Sequence, residues 1–431
     1  MVLEKPQLFS HYREFILLSM MFLTLISIRL FNQYTQYQEF ITKPFYYTYA
    51  NVEYIYQKPH YSILKLHTEE GLTLFSGVAN KIDYSNSTLR LEIFPDSNLT
   101  FVKYMSGFYI KSRIKKRIKN KPNHLKEFIK NSIKSQHSNS NNNSDMIEFY
   151  NAIFLASKIS KEFREKIASL GVSHLIALSG LHLTTLWGVI YLLLLYPYKF
   201  FQRRFFPYRN ALFDVGLISI IILGVYTIFV GSPPSLIRSF VMMLSAWIFL
   251  LMGIKIFSFE SLALIILLIL SIDISYIFSI AFWFSVAGVF YIFLIERYTQ
   301  NIKNRVVKYT IFPMGIYLFM LPITHIIFYT TNIYQLTSII LSTLFTFFYP
   351  VSIFLHIIGF GGVFDEVLIA LFKLPSTQIS FDMILPLDIF IIYLIISIGA
   401  IWSSLSFYLL ILVAIINIIL LYNWDLIYLG L

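Results

Sequence analysis

His174-Leu-Ile-Ala-Leu-Ser-Gly-Leu-His182 heads an apolar run that continues to about Leu195. A run of that length can enter hydrocarbon as a helix, so two histidines, a serine and a glycine stand where a membrane begins. Polar groups there are unfavourable unless they face a partner, a cavity or a pore, which makes them the first candidates for function. Similar runs recur along the 431 residues, of which 57% are apolar and 13% charged. Soluble domains carry about twice that charged fraction. The expected fold class is a polytopic α-helical membrane protein of about ten spans, with a small external β domain near the N-terminus. The first run, Phe15–Phe31, has no small-residue cleavage site after it and reads as a retained span.

Working outward from that stretch, five segments are expected. Residues 1–41 hold a polar tail and the first span. Residues 42–110 alternate in short segments separated by turn signals such as Lys58-Pro59, Glu70-Gly71, Ser85-Asn86 and Pro95-Asp96. They read as five strands, the last over Thr100–Tyr104, and suit an OB-like barrel or a sandwich fragment. Residues 111–171 hold a basic segment, a Ser/Asn-rich linker and one or two amphipathic helices. Residues 172–423 form the helical core, with spans expected near 174–196, 211–230, 235–253, 258–274, 276–295, 309–328, 336–358, 387–404 and 405–422. Residues 424–431 are a tail.

The net charge of +11 is concentrated. Between Lys103 and Lys134 there are eleven basic residues and one acidic residue, Glu127, giving +10. The candidate polyanion contacts are Lys111, Arg113, Lys115, Lys116, Arg117, Lys119 and Lys121. By the positive-inside bias, Lys5 and Arg13 place the N-terminus in the cytoplasm. The count of spans then puts Lys199, Arg203, Arg204 and Arg209 inside, with Lys255, and with Arg297, Lys303, Arg305 and Lys308. The basic segment falls outside, against the bias. Either it follows a folded domain and crosses regardless of charge, or it is a polyanion-binding surface.

Placed on one helix at 100° per residue, His174, Ser179, His182 and Thr185 share a side. Three readings follow: hydrogen bonding to adjacent helices, a pore lining, or a hydrolytic site with Ser179 as nucleophile and a histidine such as His325 as base. Gly180 allows close approach of a neighbouring helix. In Gly231-Ser-Pro-Pro-Ser-Leu-Ile-Arg238, two prolines interrupt the chain and leave free N–H groups beside an intramembrane arginine. Arg238 therefore snorkels, pairs with Asp273 or Glu260, or joins a phosphate site. Small residues among aromatics in Phe278–Gly288 include Ser285. Pro322 and Pro350 suggest spans broken around a pathway. No P-loop, no cysteine and no closely spaced histidine pair is present, so no ATP motor, thiolate site or metal hydrolase is expected, and no cofactor.

These motifs together resemble the ComEC family, inner-membrane DNA channels of natural transformation. Gly171-Val-Ser-His-Leu-Ile-Ala-Leu-Ser-Gly-Leu-His182 is similar to the family's Gly-x-x-His-Leu-x-Ala-x-Ser-Gly-Leu-His string. Ser235-Leu-Ile-Arg238 is similar to its Pro-Ser-x-x-Arg-Ala element, with Ser239 for alanine. Ala281-Phe-Trp-Phe-Ser285 resembles a diverged Gly-Phe-Gln-Leu-Ser segment, with Trp283 for glutamine. Phe345 and Thr346 stand near where the family commonly has an asparagine. The resemblance covers about residues 40–360.

It implies a channel that passes single-stranded DNA into the cytoplasm, not an enzyme, in a short form without the metallo-β-lactamase-like domain of many members. Its expected partners are single-stranded DNA, a periplasmic DNA-binding competence protein, a cytoplasmic helicase or single-strand-binding proteins, and the lipid bilayer. His174, Ser179, Gly180, His182, Arg238 and Ser285 would line the passage. The alternatives are the serine hydrolase and a transporter of small solutes or lipid-linked glycans.

Overall fold

In the computed structural model, which describes residues 12–79, 82, 84–120, 123–137, 143–252, 258–328, 330–374, 381–382 and 385–428, Tyr12–Thr42 is one uninterrupted helix, α1, of 31 residues. At 1.5 Å per residue it is about 46 Å long. Its apolar first two-thirds is exposed, and Tyr37 and Phe40 near its end are buried. α1 belongs to one compact unit, Phe9–His124 with Ile266–Trp283; Leu125–Ile265 with Phe284–Leu431 belongs to a second.

The first unit contains the β domain. Its strands are β1 (Tyr46–Gln57), β2 (Tyr61–Thr68), β3 (Thr73–Ala79), β4 (Ser87–Phe94), β5 (Phe108–Tyr109) and β6 (Lys111–Lys119). They form a sheet of order β5-β3-β2-β1-β4-β6. β3 and β5 are parallel, and the other pairs are antiparallel. β5 and β6 are two halves of one strand around Ile110, whose N–H donates to Phe75 O at 2.8 Å. The two ends of the strand order are therefore one stretch of chain, and the sheet closes into a barrel. Ser76 Oγ and Ser112 Oγ, 2.7 Å apart, tie β3 to β6 across the closure.

Two expectations change here. The basic residues 111–119 do not follow the β domain; they complete it, so the boundary expected at residue 110 falls inside the closing strand. The fifth strand expected at Thr100–Tyr104 is instead a helix, α2 (Phe101–Ser106). It stops at Gly107, whose φ of 114° carries the chain out of the helix. Tyr104 on α2 packs against Phe40 of α1, with ring centroids 5.5 Å apart. Strand alternation aims Leu64, Leu66, Leu74, Leu89 and Leu91 inward, each 0% exposed.

The second unit is helical: α3 (His124–Gln136), α4 (Asn143–Leu155), α5 (Lys161–Ser169), α6 (Ser173–Ile176), α7 (Gly180–Phe205), α8 (Ala211–Phe229), α9 (Pro234–Leu251), α10 (Phe259–Ile272), α11 (Ile280–Thr299), α12 (Arg305–His325), α13 (Ser338–Ile357), α14 (Asp365–Lys373), α15 (Leu387–Gly399) and α16 (Ser404–Tyr428). α3, α10 and α11 extend across the boundary between the units. Among the described residues, eight helices are long and apolar enough to cross a membrane: α1, α7, α8, α9, α11, α12, α13 and α16. α10 and α15 are apolar but have only 14 and 13 residues. That is about 20 Å each, short of the roughly 30 Å hydrocarbon core. The prolines expected to break spans do not, because α12 runs through Pro313 and Pro322 and α13 through Pro350.

The helices pack in two groups. α11, α12, α15 and α16 share a core of Tyr291, Phe319, Tyr393, Phe407 and Leu410. Buried hydroxyls there find partners, as Tyr393 OH does at Phe319 O, 2.8 Å. α4 to α6, α13 and α14 share another core, built on Phe149, Tyr150, Phe163, Phe345, Tyr349 and Phe372. Leu91→Ala should destabilise the barrel by about 2–5 kcal/mol. A lowered thermal midpoint of the purified chain checks it, and an unchanged midpoint would remove Leu91 from the core.

Candidate functional site

The Gly171–His182 string is not one helix. α5 ends in a left-handed turn at Gly171 (φ 69°). Gly171 N–H donates to Ala168 O (2.9 Å) and Val172 N–H to Ile167 O (3.2 Å), which satisfies the last carbonyls of α5. A Cβ at Gly171 would also stand 3.2 Å from the backbone of Gln335. α6 then makes a single turn, and Ala177 and Ser179 are extended before α7 begins at Gly180. The shared helical face assigned to His174, Ser179 and His182 therefore does not exist, because the helix starts after the first two of them.

What brings these residues together is a reciprocal cap. Ser179 is the N-cap of α7, and His182 reaches back to it. His182 Nδ1 accepts from Ser179 N–H and lies 3.2 Å from Ser179 Oγ. This is a capping box in which histidine stands where glutamate or glutamine is usual. Because Nδ1 accepts, Nε2 carries the ring hydrogen. That N–H is fully buried, with the Leu175 carbonyl as its nearby backbone acceptor. The ring sits between Phe345 and Tyr349 of α13, at centroid distances of 5.0 and 4.7 Å, both edge-on. His174 reaches the same helix, with Nε2 3.0 Å from Ser342 Oγ.

α9 locks onto the elbow between α6 and α7. Pro233 and Pro234 start α9, as their missing N–H groups allow. Ser235 Oγ donates to Leu178 O at 2.9 Å, supplying a partner to a carbonyl that the break leaves outside any helix. Gly180 faces α9, where a Cβ would make only an ordinary contact with Ser239 Oγ at 3.5 Å, so the packing does not require a glycine there. Ser239, where the family pattern has alanine, hands its hydroxyl hydrogen to Ser235 O at 2.9 Å. Arg238, one turn into α9, is 3% exposed, so it is buried rather than snorkelling to the surface.

His174, Ser179, Gly180 and His182 thus gather around α13 and α9. Ser285 lies on α11, half-buried, apart from these contacts. His325 is engaged elsewhere, with Nδ1 3.1 Å from Leu321 O and Nε2 3.1 Å from Thr331 Oγ1. Sequence reasoning missed Ser342 and Tyr349 and named Ser235 and Phe345 without a role; all four hold the motif in place. The spacing of 342, 345 and 349 was the available signal.

The basic strand divides its residues between two faces. Register places Arg113 opposite Glu92 and Lys116 opposite Arg90, and Lys111 shares their outer face. A β-bulge between Ile114 and Lys116 leaves Lys115 as an extra residue, and its Nζ reaches Glu92 at 2.9 Å. β1 continues the same face with Tyr47 opposite Glu92 and Tyr49 opposite Arg90. The Arg90 guanidinium lies 5.7 Å from the Tyr47 ring and 5.9 Å from the Tyr49 ring. Hydrogen bonds from Lys115 and Tyr47 hold the Glu92 carboxyl below the ordinary glutamate value. Arg117 turns the other way, with Nε donating to Ser87 Oγ at 3.0 Å, and Lys119 pairs with Ser87 on that side. Lys121 lies outside the described residues.

A family model described as Competence protein matches residues 155–421, more than half of the chain. No curated protein and no solved structure matches. Ser179→Ala should cost about 1 kcal/mol, the value of one cap. His182→Ala also empties the space between Phe345 and Tyr349 and should cost about 2–4 kcal/mol. Thermal midpoints of the purified variants check this order, and a larger loss for Ser179→Ala would contradict the cap.

Proposed function

Because the chain belongs to the Competence protein family, whose role is DNA uptake, we propose that it is a membrane conduit for single-stranded DNA entering the cytoplasm. Lys5 and Arg13 are read as cytoplasmic and the barrel, an OB-like domain, as external. The barrel's outer face carries the reading: cations of β4 and β6 stand in rows with tyrosines of β1. Phosphates meet Lys111, Arg113, Lys115 and Lys116, and neutralising them releases counterions. Unpaired bases stack on Tyr47 and Tyr49, which duplex DNA does not offer. In this reading His174 and Ser179 face the passing strand as hydrogen-bonding groups, His182 and Arg238 hold the elbow behind them from within the packing, and no bond is broken. Driving force comes from partner proteins: a DNA-binding competence protein outside, and a helicase or single-strand-binding proteins inside.

Glu92 already occupies two of those cations, with Arg113 3.7 Å and Lys115 2.9 Å from its carboxylate. Glu92→Gln should therefore tighten single-strand binding and steepen its logarithmic salt dependence by about 0.7 per cation released. Titration of the full chain in nanodiscs against labelled oligonucleotide at several salt concentrations measures both. Reversing Lys111, Arg113 and Lys116 to glutamate should cut internalised labelled DNA at least about tenfold, at unchanged membrane abundance. Unchanged internalisation would remove the gathering role. Reversing Arg117 and Lys119, on the other face, should have the smaller effect.

A further inference from the structure

Away from the α6–α7 elbow, three titratable side chains from separate elements of the second unit meet in its interior. His137, directly after α3, is 1% exposed and Asp365, at the start of α14, 6% exposed. His356 stands at the end of α13. His137 Nδ1 lies 2.9 Å from both carboxylate oxygens of Asp365. His137 Nε2 lies 3.0 Å from His356 Nε2, and His356 Nδ1 lies 2.6 Å from Ser352 O. Tyr150 of α4 stacks on His137 at 4.6 Å and 15°, and its ring lies 4.4 Å from that of His356. Gln136 closes the corner: Nε2 donates to His356 O (3.1 Å) and Oε1 accepts from Gly361 N–H (2.8 Å).

The hydrogens of this chain of contacts can be counted. Ser352 O only accepts, so His356 Nδ1 carries a hydrogen. The contact between the two Nε2 atoms needs a second, and the contact between His137 Nδ1 and Asp365 a third. Two neutral imidazoles and a carboxylate hold two. We propose that Asp365, His137 and His356 form a buried site for one proton, which fastens the residue after α3 to the corner between α13 and α14. The additional proton makes the trio electrically neutral, as a buried cluster requires. A transition metal shared by the two Nε2 atoms is the competing cation. The 3.0 Å separation is a hydrogen-bond length. Among the described residues no group of three histidine or carboxylate side chains is placed to hold a metal.

Tyr150, from α4, is the other titratable group facing the trio, and Gln136, Ser352 and Gly361 are neutral. The hydrogen count calls for the proton only in the folded chain, so the stability it gives is present at low pH and is lost once the proton leaves as pH rises.

The test measures the thermal midpoint of the full chain in nanodiscs at about pH 6 and pH 9. Asp365→Asn offers an amide N–H to His137 Nδ1, so its network closes without the additional proton. It should accumulate normally and lose the pH dependence, while the wild-type midpoint falls between the two pH values by about 3 °C more than the variant's. His356→Gln can turn its amide N–H onto His137 Nε2, so its network also closes around a neutral His137, and it should lose the fall as well. Equal falls in wild type and Asp365→Asn overturn the proposal. So does failure of Asp365→Asn to accumulate, a His356→Gln variant that keeps the wild-type fall, or stoichiometric zinc or copper in the purified wild-type protein.

Discussion

A helix that begins inside an apolar interior must satisfy its first N–H groups without water. The start of α7 meets that constraint with its own third residue: His182 accepts from the Ser179 N–H, and the rest of the helical core is arranged around the result. The ring that caps must also be packed, and Phe345 and Tyr349 pack it. The same face of α13 continues in both directions. Ser342, Phe345, Tyr349, Ser352 and His356 recur at spacings of three and four, so they form one stripe. His174 docks at one end of that stripe, His182 in its middle and His137 at the other end. α13 has the length and hydropathy of a membrane span, yet its stripe is a register on which the polar elements of the unit are mounted.

Much of this could be read from the residues and some could not. The apolar runs locate the long helices, because helical hydrogen bonding in lipid leaves few alternatives. The motif at 171–182 was legible as a site, but its shape was not. A histidine that caps its own helix looks, in sequence, like a histidine on a helical face. The distinction depends on extended backbone at Ala177 and Ser179, and the surrounding apolar residues carry no such signal. The buried trio was invisible for another reason. His137, His356 and Asp365 are separated by as many as 228 positions, and only the packing of α3, α4, α13 and α14 brings them together.

Prolines taught the same lesson in reverse. Pro322 and Pro350 read as breaks, yet both helices continue through them. Inside a bundle a freed carbonyl can be satisfied by neighbouring groups without ending the helix. Pro233-Pro234, preceded by Gly231 at φ 100°, instead lie between α8 and α9 and start the latter.

The basic stretch changes most between sequence and structure. As a tail it would be separable from the β domain. As the strand that pairs with β4 it is structural, and its charge rides on a backbone the barrel requires. Excising it would do more than remove cations. It would strip β4 of its outer neighbour and leave a row of unpaired N–H and C=O groups, the kind of open edge through which sheets join one another. A shortened chain of this kind would be expected to self-associate, and any loss of DNA handling in it would report on an opened barrel as much as on missing charge.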